Sequence, residues 1–164
     1  MKKIITLLLL FLVHATHAYA QDTPKVLFSP KGGCEQAIVD EIAKAQKTIN
    51  VAMYELTSRE ISQALIAAKA RGVIIRIFLD LKEGKTKYSK GTYLSQNGIA
   101  VKYYMGHGLM HNKFAVIDEK ILLTGSFNWT PTAEQKNQEN LLVLDDPVFI
   151  KQYSDRFEYL WKTQ

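Results

Sequence analysis

Residues 48–79 read TINVAMYELTSREISQALIAAKARGVIIRIFL. A β-rich run at 48–54 comes first, and a helical segment follows at 58–70, with Ser58 as its N-cap and apolar residues at helical spacing. Residues 73–79 then form a nearly continuous apolar run of strand length, which is typical of a strand covered on both faces. This stretch predicts a β-α-β unit in which helices cover a sheet.

The same alternation continues on both sides of this unit. A short strand at 26–28 and a helix at 35–46 precede it, and Asp146-Pro147 suits the N-cap and first position of a closing helix. Between the unit and that helix we predict one short helix and four strands, at 88–96, 99–104, 113–117, 121–124 and 140–144. The order favours an α/β fold, with a mixed β-sheet sandwiched between helices in a single domain.

The first twenty residues have a different character. Lys2 and Lys3 precede an apolar run that is about half as long as a bilayer requires, and Ala18-Tyr19-Ala20 is a small-x-small cleavage signal. We therefore predict a secretory signal peptide at 1–20 and one domain at 21–164, located in the periplasm. An uncleaved membrane anchor is the alternative.

Charge and cysteine content narrow the classes of partner and site. The formal net charge is +5; without Lys2 and Lys3, lysine plus arginine fall from 21 to 19 against 16 acidic residues, which leaves about +3. This balance permits an anionic partner without requiring one. Cys34 is the only cysteine, so neither a disulfide within the chain nor a cysteine-based metal site can form. We expect Cys34 to pack as a small hydrophobe, and a bond between two chains is the alternative.

One motif carries groups that suit catalysis. From 111 to 128 the chain reads H-x-K-x4-D-x6-G-S-x-N inside an apolar, strand-like stretch. Residues two apart in a strand share a face, so His111 and Lys113 project together if the strand at 113–117 extends back to 111. Ser126 and Asn128 have the same spacing at the end of the next run. A tight turn at 118–120 then brings the two pairs side by side. The predicted result is an imidazole, an ammonium, a hydroxyl and an amide on one surface.

This set of groups suits the hydrolysis of a phosphodiester. A neutral histidine can attack phosphorus, and a protonated one can donate to the leaving oxygen. Lys113 and Asn128 can stabilise the developing charge without a metal ion or another cofactor. Asp118 lies an odd number of residues from His111 and Lys113, so in a strand it would point to the other face, and it also lies in the turn. We therefore favour an orienting or charge-pairing role for Asp118. A carboxylate should orient the imidazole; Glu139 is the candidate, and Glu134 is a weaker one because it falls in a polar loop.

The number of histidines decides how such a site is completed. His14 and His17 leave with the signal peptide, and His107 lies between two glycines and has no lysine two residues later. One chain thus supplies one catalytic histidine where the chemistry needs two. We predict a C2 homodimer in which two copies of His111 face each other. A zinc site at His107 and His111 is the alternative, although the glycines disfavour the helix that their spacing requires.

The motif resembles the HKD signature of the phospholipase D superfamily. A short exported chain with one such motif resembles the periplasmic Nuc-type bacterial endonucleases of that superfamily, and the match in pattern covers residues 25–164. The resemblance implies a phospholipase D-like α/β fold. It also implies a dimer with one active site at its interface, and metal-independent cleavage through a phosphohistidine.

The resemblance further implies a role for each motif residue. By this resemblance, His111 is the nucleophile or the acid, and Lys113 and Asn128 bind phosphate. The resemblance carries a supporting hydroxyl onto Ser126, and the acidic partner of the histidine onto Glu139.

Three other features leave alternatives open. The most basic stretch combines four lysines with two tyrosines, namely Lys82, Lys85, Lys87, Tyr88, Lys90 and Tyr93. It suits either a surface that tracks a phosphate backbone and stacks bases, or an ordinary solvated loop. Trp129 belongs either to the cleft or to the core. The apolar stripe of the closing helix belongs to the core or to a dimer contact, and consists of Ile150, Tyr153, Phe157, Leu160 and Trp161.

We therefore expect a metal-independent, non-specific endonuclease that hydrolyses DNA, with RNA as an open second substrate. It acts as a homodimer, without stable membrane association once the signal peptide is removed. One alternative is a lipid phosphodiesterase of the same superfamily. The other is a nucleic-acid-binding protein without catalysis, against which the intact His111, Lys113 and Asn128 count.

Overall fold

The structure, a computed structural model, describes residues 24–163. Its strands are β1 (Lys25–Ser29), β2 (Thr48–Met53), β3 (Ile74–Asp80), β4 (Ala100–Tyr104), β5 (Lys113–Ile117), β6 (Ile121–Gly125) and β7 (Glu139–Leu144). Its helices are α1 (Cys34–Lys44), α2 (Arg59–Ala70), α3 (Leu81–Gly84), α4 (Gly91–Gln96), α5 (Pro131–Gln135) and α6 (Pro147–Lys162). The predicted signal peptide lies outside the described residues. Within 24–163, no helix combines the length and the apolar character needed to cross a membrane.

The seven strands form one mixed sheet in the order β1-β7-β6-β5-β2-β3-β4. Strands β2, β3 and β4 are parallel, whereas β5, β6, β7 and β1 continue the sheet in antiparallel pairs. Met53 at the end of β2 lies opposite Lys113 at the start of β5, and Ser29 at the end of β1 lies opposite Glu139 at the start of β7. The ends of β2, β6 and β1 and the starts of β5 and β7 therefore share one edge of the sheet.

Helices cover both faces of this sheet, which confirms the predicted α/β sandwich. Helices α1 and α2 pack on one face over a large apolar cluster, and α6 packs on the other face over a smaller one. Strand β3 contributes to both clusters, as its continuous apolar run predicted: Ile77 belongs to the first and Phe78 to the second. Trp129 lies in the first cluster, and the stripe of α6 lies in or against the second. Both features therefore belong to the core.

Several local predictions are confirmed by hydrogen bonds. The Ser58 hydroxyl accepts from the backbone N–H of Ile61 at 3.1 Å, which caps α2. The Asp146 carboxylate accepts from the N–H of Val148 at 2.8 Å and caps α6. Cys34 is fully buried at the start of α1, as expected of a small hydrophobe. Burial, followed by the nearby Glu134 carboxylate, raises the pKa of its thiol to about 11.

Two short helices were not predicted, and a third begins later than predicted. Helix α4 starts at Gly91 rather than at 88, and α3 and α5 are only one turn long. Such short helices do not form on propensity alone and depend on tertiary contacts. Glu134 therefore lies in α5, not in a loop. Its carboxylate accepts from the N–H groups of Gly33 at 3.2 Å and Glu35 at 2.9 Å, so it caps α1 across the fold.

Candidate active site

The shared sheet edge carries an open cleft of about 430 Å³. Six residues line it: His111, Lys113, Gly125, Ser126, Asn128 and Glu139. Five of them are the residues predicted to act in catalysis, and the sixth is the glycine of the same motif. Gly125 has a φ of 147°, and a Cβ there would lie 2.2 Å from the carbonyl oxygen of Asn140. Only glycine lets β6 approach β7 this closely at the cleft floor.

His111 lies just before β5, in a segment held by the end of β2. The backbone N–H of Tyr54 donates to the carbonyl of Asn112 at 2.9 Å, which extends the β2–β5 pairing beyond Met53. The Tyr54 ring lies 4.4 Å from the imidazole, centroid to centroid, at an angle of 56°. His111 nonetheless remains exposed. The imidazole is therefore supported on one side and open to a ligand or to a second protein copy.

Lys113 brings a partly desolvated cation into the cleft. Its ammonium donates to the carbonyl of His111 at 2.9 Å and lies 4.9 Å from the centre of the Tyr54 ring. Burial lowers the pKa of Lys113, while the carboxylates of Glu139 and Glu55 act in the opposite direction. An ammonium that has lost part of its hydration interacts more strongly with an anion that enters the cleft.

Ser126 and Glu139 form a hydrogen-bonded pair. The Ser126 hydroxyl donates to Glu139 Oε2 at 2.5 Å and accepts from the N–H of Asn140 at 3.1 Å. The other carboxylate oxygen, Oε1, accepts from the side-chain amide of Asn137 at 3.1 Å. The N–H of Ser126 donates to the side-chain oxygen of Asn140 at 2.9 Å. These bonds lock the β6 end to the start of β7 and hold a carboxylate in the cleft.

The role of Glu139 as the carboxylate that orients the imidazole stays a prediction. Its Oε2 accepts from Ser126 and its Oε1 accepts from Asn137. Within this single chain, these are the hydrogen bonds of the carboxylate, and the imidazole of His111 is not among its partners. It does act electrostatically on Lys113. Within one chain, Glu139 therefore positions the hydroxyl and favours the charged form of the ammonium.

Asn128 lines the cleft and has one side-chain atom without a hydrogen-bond partner. Its backbone carbonyl accepts from the N–H of Thr130 at 2.8 Å, which fixes the turn after β6. Its side-chain Oδ1 is buried and has no hydrogen-bond partner. The donor that Asn128 can offer to a phosphate oxygen is its side-chain NH₂ group.

Asp118 lies at the opposite end of β5, away from the cleft. Its carboxylate accepts from three consecutive N–H groups, those of Gln46 at 2.8 Å, Lys47 at 2.7 Å and Thr48 at 2.8 Å. Partial burial acts to raise the pKa of Asp118, but these donors outweigh burial and hold the pKa below its usual value. Asp118 and Glu119 both have positive φ, near 54° and 55°, as a tight hairpin turn requires. Asp118 thus ties the hairpin turn to the loop before β2.

Four residues around the cleft were missed by sequence reasoning: Tyr54, Glu55, Asn137 and Asn140. Tyr54 and Glu55 directly follow β2, so polar residues at the end of a buried strand were the available signal. Burial first, then Glu83, raises the pKa of the Glu55 carboxyl, and Lys113 acts against them. For Asn137 and Asn140 no sequence signal existed, because their roles depend on how β7 pairs with β6.

His107 does not line the cleft. It lies in the loop between β4 and β5, where its backbone carbonyl accepts from the hydroxyl of Tyr104 at 2.9 Å. Within residues 24–163, no group of three or more histidine, cysteine, aspartate or glutamate side chains is arranged to hold a metal ion. Of the two histidines in this part of the chain, His111 alone is at the cleft.

Comparison with known proteins identifies the family. The model described as "Cardiolipin synthase, PLD-like domain" matches residues 38–161. "Phospholipase D" of Rickettsia conorii is 39% identical over 126 residues, which is 77% of this chain and 63% of that protein. "Mitochondrial cardiolipin hydrolase" of Xenopus tropicalis is 36% identical over 121 residues, which is 74% of this chain and 58% of that protein. The chain thus spans about three-fifths of the length of these curated relatives.

One solved structure matches this chain over nearly all of its own length, unlike the curated relatives. Nuc from Salmonella typhimurium, a phospholipase D family member, superposes with a TM-score of 0.80 at 29% identity. The match covers 85% of this chain and 94% of that one. The family model spans every cleft residue, and the matched structure shares the fold around them. The chain therefore belongs to the phospholipase D superfamily and has the fold of its Nuc-type members.

Proposed function

We propose that the chain is a metal-independent, non-specific endonuclease that hydrolyses DNA phosphodiesters as a homodimer, with RNA as an open second substrate. One observation carries the proposal: an open cleft brings His111, Lys113, Ser126 and Asn128 together, yet contains one histidine. The superfamily assignment supports a phosphodiesterase. The substrate, the dimer and the steps below are our inference.

The first step transfers the phosphoryl group to the protein. A neutral His111 attacks phosphorus with a ring nitrogen, so a P–N bond forms as the P–O bond to the leaving strand breaks. The ammonium of Lys113 and the amide of Asn128 stabilise charge on the non-bridging oxygens. A protonated imidazole, that of His111 of the partner subunit, gives its proton to the leaving oxygen.

The second step returns the protein to its starting state. The now neutral imidazole of the partner takes a proton from water, and that water attacks the phosphohistidine. The P–N bond breaks, the phosphate ends the other strand fragment, and both imidazoles regain their initial protonation. Glu139 assists by holding Ser126 and by favouring the charged form of Lys113.

The extent of the match to a Nuc-type protein favours nucleic acid as the substrate. The Salmonella Nuc match covers 94% of that protein, whereas about two-fifths of the curated phospholipase D and cardiolipin hydrolase relatives lies beyond the match. The sequence resemblance to Nuc-type endonucleases points the same way. No base-reading module is evident in residues 24–163, which favours cleavage without sequence specificity.

Degradation of plasmid and single-stranded DNA in excess EDTA tests the proposal. We expect wild-type protein to cleave both, and His111→Ala to be inactive. His107→Ala is the matched control, because it removes the other histidine of the described chain from a position outside the cleft. Activity that appears only when a divalent ion is added would contradict the phosphohistidine mechanism.

Subunit mixing tests the two-histidine site. If each active site needs His111 from both chains, equal amounts of wild type and His111→Ala that exchange subunits leave about a quarter of the dimers active. Independent sites would instead keep about half of the activity. A protein that sediments as a monomer while turning over substrate would refute the shared site.

We also propose that residues 1–20 are a signal peptide and that the domain at 21–164 works in the periplasm. The charged start, short apolar run and Ala18-Tyr19-Ala20 support this. Fractionation and N-terminal sequencing of the exported protein provide the test. A protein that starts at Met1 and stays with the membrane fraction would contradict both statements.

Lipid diesters are the second candidate substrate, because the curated relatives are named phospholipase D and cardiolipin hydrolase. Vesicles that contain cardiolipin, assayed for release of phosphatidic acid, test this directly. Activity on vesicles that equals or exceeds activity on DNA would favour the lipid enzyme. Binding of DNA that is the same for wild type and His111→Ala, with cleavage by neither, would indicate a binding protein instead.

A further inference from the structure

The structure has a second open groove, of about 590 Å³. It lies between the loop before α4 and the start of α5, and its walls include Lys87, Tyr88, Lys90, Tyr93 and Thr132. The loop is held in place because the N–H of Lys90 donates to the carbonyl of Leu56 at 2.9 Å. The groove is therefore a defined part of the fold.

One short segment links the groove to the cleft. Asn128 lines the cleft, and Thr132, four residues later, lines the groove. Four residues span at most about 14 Å, so a polymer bound in the cleft reaches the groove within a few monomers. Between them, the N–H of Trp129 donates to the carbonyl of Glu55 at 3.1 Å, and Glu55 itself lines the groove. The segment that follows β6 therefore runs from the cleft to the groove.

The groove continues away from the cleft. Lys90 and Tyr93 also line a further recess of about 190 Å³, together with Arg59, Ser62 and Gln63. The groove and this recess therefore form one polar track with cationic side chains along it, and the segment 128–132 connects this track to the cleft. A track of this length suits a chain molecule rather than a single head group.

The fold separates the lysines of the basic stretch. Lys87 and Lys90 line the groove, whereas Lys82 lines a different recess and the ammonium of Lys85 lies 4.1 Å from the centre of the Tyr103 ring. Sequence reasoning treated all four as one patch. The structure places only two of them on the path that leaves the cleft.

The aromatic rings give the groove its chemical character. Tyr88 is 67% exposed and Tyr93 is 46% exposed, so both rings are open to a ligand in the groove. The ammonium of Lys87 lies 4.9 Å from the centre of the Tyr88 ring, so a cation and an open ring are side by side. Rings offer stacking to any base, and lysines offer charge to phosphates.

We propose that this groove binds single-stranded nucleic acid beside the scissile phosphate, with Tyr88 and Tyr93 stacking on bases and Lys87 and Lys90 contacting phosphates. The inference rests on the proposed function, because the cleft must hold a nucleic-acid phosphate for the groove to take the adjacent nucleotides. It adds a strand preference: the rings need unpaired bases.

Direct binding tests the groove independently of cleavage. The inactive His111→Ala protein is titrated with a fluorescent oligothymidylate of about twelve nucleotides, with and without Tyr88→Ala and Tyr93→Ala. We expect each tyrosine change to weaken binding about 5-fold or more. Tyr159→Ala is the matched control, because Tyr159 is an exposed tyrosine on α6 with an arginine over its ring. An affinity that is equal in all four proteins would overturn the proposal.

The lysines are tested through salt dependence. Replacing Lys87 and Lys90 by alanine should reduce the slope of log affinity against log salt by about 1.4, since each single-strand phosphate contact contributes about 0.7. Lys151→Ala with Lys162→Ala removes the same charge from α6, and should leave the slope near that of His111→Ala. Equal slopes for the groove pair and the α6 pair would contradict the phosphate contacts.

Cleavage kinetics separate failure of the groove from failure of the proposed function. In proteins with an intact His111, Tyr88→Ala with Tyr93→Ala should lower kcat/KM on the oligonucleotide about 10-fold more than on bis(4-nitrophenyl) phosphate, which is too small to reach the groove. Equal losses on both substrates would overturn the groove. If wild type cleaves no nucleic acid, the endonuclease fails, while the binding titration still decides whether the groove takes a single strand.

Discussion

The two ends of the β5–β6 hairpin carry members of one motif, but they are built differently. At the cleft end, His111 is exposed, Lys113 is partly desolvated and Asn128 keeps an unpaired side-chain oxygen. At the turn end, Asp118 is saturated by three backbone donors. Polar groups left without partners are available to a ligand, and fully bonded ones stabilise the fold. The motif thus combines catalytic and structural residues, and substitutions at its two ends should separate activity from stability.

The largest effect is expected at His111. His111→Ala removes the proposed nucleophile and should reduce kcat by about 10³-fold or more, because no other group in the cleft forms the intermediate. The side chain is exposed, so the free energy of unfolding should change by less than about 0.5 kcal/mol. Single-turnover cleavage in EDTA and urea unfolding measure the two quantities. If His111→Ala were inactive because it is unfolded, the cleft end would also serve stability, and the predicted difference between the two ends of the hairpin would be wrong.

Lys113 should show the next largest effect and a characteristic pH dependence. Lys113→Gln should lower kcat/KM by about 10²-fold or more, as expected when a donor to developing charge is lost. The pKa of Lys113 is lowered, so its charged form is complete below that pKa and is lost as pH rises through it. Wild-type activity should therefore decline at a pH below the ordinary lysine pKa of about 10.4.

Lys113→Arg is the control for this pH dependence. Arginine stays charged across the range, so the activity that remains should lack the alkaline decline. An alkaline limb that is the same in wild type and Lys113→Arg would assign the titration to another group.

At the turn end, Asp118→Ala should reverse the pattern. Loss of three charge-assisted bonds should lower the free energy of unfolding by about 2 kcal/mol, while the kcat of the folded protein stays close to wild type. The pKa of Asp118 is lowered, so its stabilisation is present at neutral pH and is lost as pH falls through that pKa. Urea unfolding between neutral and acidic pH measures both effects.

Glu119→Gln is the matched control for Asp118. It removes the neighbouring negative charge from the same turn, where Glu119 is exposed. Its stability should stay within about 0.5 kcal/mol of wild type at every pH. If Glu119→Gln matched Asp118→Ala, net charge rather than the three hydrogen bonds would explain the result.

The smallest effect on turnover is expected at Ser126. This residue lines the cleft, as His111 does, but its hydroxyl is hydrogen-bonded within the fold, as Asp118 is. Ser126→Ala removes the hydroxyl that holds Glu139 and accepts from Asn140, and should lower kcat/KM by about 10-fold without a change in mechanism. Thr124→Val removes a hydroxyl from the same strand that instead contacts Tyr153, outside the cleft. The two variants should differ in turnover and agree in stability to about 1 kcal/mol. Equal turnover would make Ser126 purely structural.

Local structure was predictable where one residue type acts over a few positions. The caps at Ser58 and Asp146 depend on a side-chain oxygen and N–H groups two or three residues later, and both are present. The strand at Ile74–Asp80 was evident from its apolar run, because a strand with both faces buried cannot alternate. The cleft brings His111 and Lys113 together with Ser126 and Asn128, as the motif predicted. His111, Ser126 and Asn128 lie just outside β5 and β6, so their final positions also depend on the turns that flank these strands.

Long-range relations could not be predicted in the same way. Glu134 caps α1 from about a hundred residues away, and nothing in its neighbourhood indicates this. Glu139 was expected at the imidazole, and in this chain it binds Ser126 and Asn137, because the β6–β7 register decides which groups face it. The lysines of the 82–90 stretch separate because Lys85 packs on the Tyr103 ring, whereas Lys87 and Lys90 line the groove.

The sequence by itself determined the α/β class, the positions of the longer helices and strands, and the four polar groups of the motif. These follow from periodicity and from contacts within a few residues. Tertiary structure alone decided the strand order, in which the first strand, β1, pairs with the last, β7. It also decided that Asp118 serves the fold, and that Lys87 and Tyr88 line a groove whose wall includes Thr132, four residues after Asn128 of the cleft. The physical reason is that these contacts join distant segments, whose register depends on the packing of the whole core rather than on local propensity.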